Sequence, residues 1–154
     1  MESSQKWMLA LLIGSGLMLW RGRGASAMPA EAIPVLGGGD VSLARCATER
    51  CLTIMVAPWC PACRQAGGMI KDLRDHLDKR GIHTRIVVTL DQPAAIQEYA
   101  ASYGPGTVVD YAGVLHPRGV PHCYLSDARG KVLHETAGFP ITNDPALAAR
   151  YLGL

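Results

Sequence analysis

One stretch constrains the fold more than any other: residues 51–81, "CLTIMVAPWCPACRQAGGMIKDLRDHLDKRG". It opens with a short apolar run, residues 51–57, rich in β-formers, which reads as a buried strand. It ends as a helix. Pro61 suits a first turn, where its missing N–H is no loss. Ala62, Ala66, Met69, Ile70, Leu73 and Leu77 recur at helical spacing and make one apolar face. Lys71, Asp72, Arg74, Asp75, Asp78 and Lys79 are mostly its wet side, and Gly81 is a stop. Gly67 and Gly68 conflict with this pattern by about 1 kcal/mol each against Ala. A kink or a close backbone contact is the expected reason. At the junction of strand and helix stand two thiols, Cys60 and Cys63, behind Trp59.

The remaining elements follow from the same signals. Residues 83–90, "HTRIVVTL", read as a second strand and residues 93–103 as a second helix. Residues 122–126 read as a third strand. "DARG" at 127–130 is a turn, residues 131–136 return as a hairpin partner, and residues 144–152 form a last short helix. The order β-α-β-α-β-β-α is that of an α/β domain. Helices between the first three strands favour parallel crossovers among them, followed by an antiparallel hairpin. Hydrophobic residues make up 49% of the chain but aromatics only 6%, so aliphatic side chains must fill the core.

Four chemistries compete for the paired thiols. Haem attachment requires a histidine after the second cysteine, and Arg64 stands there. Cys46, Cys51, Cys60 and Cys63 supply enough thiolates for zinc, but a strand holds Cys51 and Cys60 more than about 20 Å apart. No metal or other cofactor is therefore expected. A purely structural Cys60–Cys63 bridge would close a tiny loop and add little stability. Redox exchange fits the placement. A thiolate at a helix N-terminus meets the positive end of the dipole and unpaired N–H groups, so its pKa falls and it becomes a nucleophile. Cys63, one turn on, is placed to resolve a mixed disulfide.

The strand, "WCPAC" and long helix resemble the thioredoxin superfamily. "TLDQP" at 89–93 resembles the end of that family's next strand. "RGVPHCYLSDARGKVLHETAGF" at 118–139 resembles its cis-proline strand, hairpin and following glycine. The resemblance spans residues 51–152. It implies a three-layer sandwich around a central mixed sheet, with Cys60 as nucleophile, Cys63 as resolving thiol and Pro121 as a cis-proline. It further implies that Trp59, Val120 and Pro121 line the substrate site, the Val120 backbone bonding to an extended chain. Many members carry a buried acid six residues before the first cysteine; here Ile54 stands there. Residues 105–117 separate flanks that are nearly adjacent in small thioredoxins, and they read as an insertion.

Export is the expectation from the N-terminus. Residues 7–20 are uncharged and apolar but short for a bilayer span, and "ASA" at 25–27 fits a cleavage site. Arg21 and Arg23 follow the apolar run, an order that an uncleaved anchor shares. Residues 28–40, rich in Pro and Gly, read as a linker or loose arm, and residues 41–154 as the domain. Residues 41–50 suggest one helical turn. The formal charge of +2 comes from Lys6, Arg21 and Arg23 against Glu2. The rest of the chain is neutral overall, which argues against nucleic-acid binding. In an oxidising compartment Cys46 and Cys51 are close enough in sequence to bridge, or else stand as separate thiols with Cys51 in the core. Cys123 reads as a buried, hydrophobe-like thiol. His122 is either a solvated loop residue or a cation that tunes Cys60.

These features describe a thiol:disulfide oxidoreductase of the cell envelope, of thioredoxin-like, Dsb or cytochrome c maturation type. Its partners would be cysteine-containing envelope proteins and a second protein that resets the pair. The alternative is a thioredoxin-fold binding subunit of an envelope assembly, with Cys60–Cys63 only structural.

Overall fold

The computed structural model describes residues 26–154, so the expected leader and its cleavage site lie almost wholly outside the described residues. The described residues form seven strands and three helices, in the order β1 (Ala32–Pro34), β2 (Asp40–Ser42), β3 (Arg50–Val56), α1 (Pro61–Asp78), β4 (His83–Val88), α2 (Pro93–Ala101), β5 (Val108–Val109), β6 (His122–Asp127), β7 (Val132–Ala137) and α3 (Pro145–Tyr151). β3 and β4 run parallel in the middle of a five-stranded mixed sheet of order β5-β4-β3-β6-β7. This is the α/β, thioredoxin-like architecture expected from the sequence.

Alternation along β3 builds two cores, one on each face of the sheet. Leu52, Ile54 and Val56 join the apolar stripe of α1 (Ile70, Leu73, Leu77) and Ala148 and Ala149 of α3. Met55, on the other face, joins Met28, Ile33, Leu43, Val87, Val108 and Leu115. α1 begins at Cys60, whose side chain caps it, and carries Pro61 in its first turn. α3 is capped by Asp144, whose carboxylate accepts from the Ala146 N–H at 2.9 Å.

Four expectations are corrected. First, residues 28–40 are not a loose arm. β1 and β2 pair antiparallel, and Met28 and Ile33 are buried against the sheet. Second, residues 41–50 hold the end of β2 and turns, with no helical turn. Third, the strand at 122–127 runs antiparallel to β3. The helical crossover after β4 delivers the chain to β5, which pairs parallel to β4, and the chain then reverses before β6. Residues 105–117 thus supply a sheet strand. The loop after β5 is tied by buried Asp110, which accepts from the Val114 and Leu115 N–H groups at 2.9 and 3.2 Å and from Thr89 Oγ1 at 3.2 Å. Fourth, α1 is continuous through Gly67 and Gly68. A Cβ at Gly67 would meet only the Tyr103 hydroxyl, at 3.6 Å, and one at Gly68 would meet nothing within 4 Å.

Candidate functional site

β3 ends one short turn before Cys60, which places that residue at the N-cap of α1 in extended backbone conformation. The Cys63 N–H donates to the Cys60 sulfur at 3.2 Å, and the Cys60 thiol donates to the Val120 carbonyl at 3.5 Å. Both thiols are buried, Cys60 at 3% exposure and Cys63 at 0%. The Val120–Pro121 peptide is cis, and it sets the Val120 carbonyl against the thiol. Burial pushes the Cys63 thiol from 9.0 up to about 12, and the contact with Cys60 adds to the rise. Cys63 is therefore the proton-holding member of the pair.

Trp59, next to Cys60 in the chain, is more than half exposed. Its indole N–H donates to the Leu90 carbonyl at 2.8 Å. Leu90 has φ of 60°, the one non-glycine among the described residues in the left-handed region, so the rim of the site carries backbone strain. Arg64 donates from Nε to the Pro58 carbonyl at 2.6 Å and lies 5.0 Å from the centre of the Tyr99 ring.

The structure brings together Trp59, Cys60, Cys63, Val120 and Pro121, all five residues that the sequence assigned to one site. It joins Cys46 to Cys51 in a disulfide, at the far end of β3 from Cys60, so the four thiols do not meet. Cys123 lies in the same apolar cluster as Cys60 and Cys63, on the next strand of the sheet. Burial and the neighbouring Cys63 push its thiol from 9.0 up to about 12. His122 does not serve Cys60. Strand alternation turns it to the opposite face from Cys123, where its Nε2 meets Glu135 Oε1 at 2.7 Å and its ring lies 4.7 Å from that of Tyr124.

Two features escaped sequence reasoning. Ile54 is buried at the position where many members of the family carry an acid, and Tyr99 of α2 and Tyr103, just beyond its end, both feel charge at Cys63. Their hydroxyls lie 3.2 Å apart and their rings pack edge to face. Burial raises both phenols, and negative charge at Cys63 would raise them further. Their spacing of four, within the helix expected over residues 93–103, was the available signal. The second feature is the wall of residues 138–143 beside α1, an irregular segment with no periodicity to read.

A mixed sheet with a dithiol at the start of its longest helix and a cis-proline beside it defines the thioredoxin-like fold, and solved structures agree. The chain is similar to a candidate thiol:disulfide interchange protein DsbE from Chlorobium tepidum, with 22% identity, 84% of this chain and 95% of that one covered, and a TM-score of 0.68. It is similar to StoA from Bacillus subtilis at 20% identity, covering 83% and 98%, with a TM-score of 0.63. It is also similar to a secreted Mycobacterium tuberculosis disulfide oxidoreductase described as homologous to E. coli DsbE, at 14% identity, covering 81% and 96%, with a TM-score of 0.60. No protein-family model and no curated protein matches the sequence. Among the described residues no helix is long and apolar enough to cross a membrane.

Proposed function

We propose that the protein is a thiol:disulfide oxidoreductase acting through Cys60 and Cys63 on cysteines of proteins outside the cytoplasm. The observation that carries this is the placement of Cys60: its sulfur accepts an N–H at the helix start and faces the Val120 carbonyl of the cis peptide. The thiolate is the attacking species, and the Cys63 N–H at the helix start is placed to hydrogen-bond the sulfur that attacks. In the reducing direction, the Cys60 thiolate attacks one sulfur of a client disulfide. A Cys60–client bond forms, and the client's other sulfur leaves as a thiolate. Cys63 loses its proton and attacks the Cys60 sulfur. The Cys60–Cys63 bond forms and the client's second sulfur leaves as a thiolate, so the client holds the two electrons the pair gave up; one proton reaches it from Cys63 and the other from water. The oxidising direction is the reverse, and the potential of the pair against its partner's sets the direction.

Export is supported by the apolar leader with its small-residue site, and by the Cys46–Cys51 disulfide, which an oxidising compartment would maintain. Trp59, Val120 and Pro121 would flank the incoming client chain. The test is trapping. Cys63→Ala should accumulate mixed disulfides between Cys60 and client proteins, and a second change, Cys60→Ser, should abolish them. Absence of any trapped species with Cys63→Ala would refute exchange.

A further inference from the structure

A groove of about 730 Å³ leads away from the thiol pair, between α1 and the segment that joins β7 to α3. Its near end is Ala62, between the two cysteines, together with Pro121. Met69 on α1 faces Phe139 and Ile141 across it, and Ile141 is fully exposed. Exposed Ile141 and half-buried Met69 and Phe139 give the groove an apolar lining that a partner can cover. Gly68 also lines the groove, and a side chain there would enter open space. The glycine costs helix stability, and its absent side chain leaves the groove open. The far end holds Asp72, the one charged residue among those lining it.

A client joined to Cys60 must pass its flanking chain over this surface or away from it. The groove begins at Ala62 and Pro121, where that chain begins. From Ala62 to Asp72, α1 rises about 15 Å at 1.5 Å per residue. An extended chain covers that in four to five residues at about 3.3 Å each.

We infer that this groove seats an extended client segment beside the cysteine that bonds to Cys60, with apolar side chains over Met69, Phe139 and Ile141 and a lysine or arginine, four to five residues from that cysteine, against Asp72. The inference rests on the exchange reaction proposed above and names its substrate class: disulfides flanked by apolar and then basic residues.

The test uses the full chain and short peptides whose single cysteine is held in a mixed disulfide with glutathione. Leucines flank the cysteine, and Lys or Glu stands five residues away, N-terminal in one series and C-terminal in the other. Each reduction rate is divided by the same protein's rate with glutathione disulfide. In one series the Lys peptide should react about two- to fivefold faster than the Glu peptide, the range of an exposed ion pair. Asp72→Lys should reverse that order. Gly68→Leu should erase the advantage of the leucine-flanked peptide over a glycine-flanked one. Equal rates for Lys and Glu in both series, or an order unchanged in Asp72→Lys, would overturn the inference. A groove filled by a second copy of this chain would appear as a dimer that Gly68→Leu dissociates, and that too would overturn it. If no disulfide is reduced, glutathione disulfide included, the exchange reaction itself falls and this inference with it.

Discussion

Raising the pH should leave Cys123 protonated long after an ordinary thiol has ionised. Its side chain is buried on β6, where water cannot solvate a thiolate and Cys63 is a neighbour, so its pKa rises from 9.0 to about 12. At pH 10 a thiol of pKa 9 is about 90% ionised and one of pKa 12 about 1%. The same difference is a stability effect. The folded chain holds this proton more tightly than the unfolded chain does. The contribution is therefore fully present below pH 9 and is lost as the pH climbs from 9 toward 12. Through this one group the fold should be about 1.4 kcal/mol less stable at pH 10 than at pH 8. With Cys60–Cys63 and Cys46–Cys51 both oxidised, Cys123 is the remaining thiol of the five, and burial, the larger cause of its shift, persists. Thiolate absorbance of the wild type minus that of Cys123→Ser cancels the tyrosines. The difference should stay flat from pH 8 to 10. A rise with its midpoint near 9 would refute the burial argument. The stability half of the reasoning fails if urea midpoints of the two proteins keep a constant separation over that range.

Reduced protein should alkylate at Cys60 well before Cys63, whose thiol is buried and pushed up to about 12; equal labelling in a peptide map would reverse or dissolve their roles. Apart from Trp7 and Trp20 at the ends of the N-terminal apolar run, Trp59 is the sole tryptophan, so in protein lacking that run closing the neighbouring disulfide should quench its emission; Cys60→Ser should abolish the redox-linked change, and Cys123→Ser should not. Gly130→Ala should cost more than about 2 kcal/mol in urea unfolding, since Gly130 has φ of +83° and a Cβ there would stand 2.7 Å from Ala44 backbone atoms, whereas Gly68→Ala should be neutral or stabilising by up to about 1 kcal/mol. Asp110→Ala should lower stability by about 2–4 kcal/mol, because the Val114 and Leu115 N–H groups and Thr89 Oγ1 lose their common acceptor; an unchanged unfolding midpoint would show that the loop holds without it.

The redox pair, its helix and the strand behind it were legible because each carries a local signal: two thiols at fixed spacing, apolar residues at helical period, a run of β-branched side chains. The β6–β7 hairpin was legible from its turn. β1, β2 and β5 were not. They have three, three and two residues, too few for a period to show, and they lie among prolines and glycines that read as loop. Their anchors, Met28, Ile33 and Leu43, are isolated apolar residues whose burial depends on a sheet elsewhere in the chain. Missing β5 also reversed the expected direction of β6. The face of His122 depended on strand register, and the groove depends on an irregular segment lying beside a helix, neither of which spacing records. The pairing of Cys46 with Cys51 was one of two readings because spacing permits a bridge without choosing it.

The chain on both sides of the expected cleavage site is knitted into the domain. Ala27 bridges to Lys131, the Val132 N–H donates to the Ser26 carbonyl, and the Met28 N–H donates to the Gly130 carbonyl at 2.8 Å. A peptidase needs its target in an accessible, unpaired backbone, and here the bond after Ala27 lies inside that pairing. If the leader is removed at that bond, cutting and folding are ordered in time: the blade must arrive while the strand is still loose. In that case a molecule that folds first would keep the segment before Met28, and one that is cut first would close without the Ser26 and Ala27 pairings. The ratio of two rates, not the sequence of the site alone, would then decide how much of the protein is released and how much stays tethered.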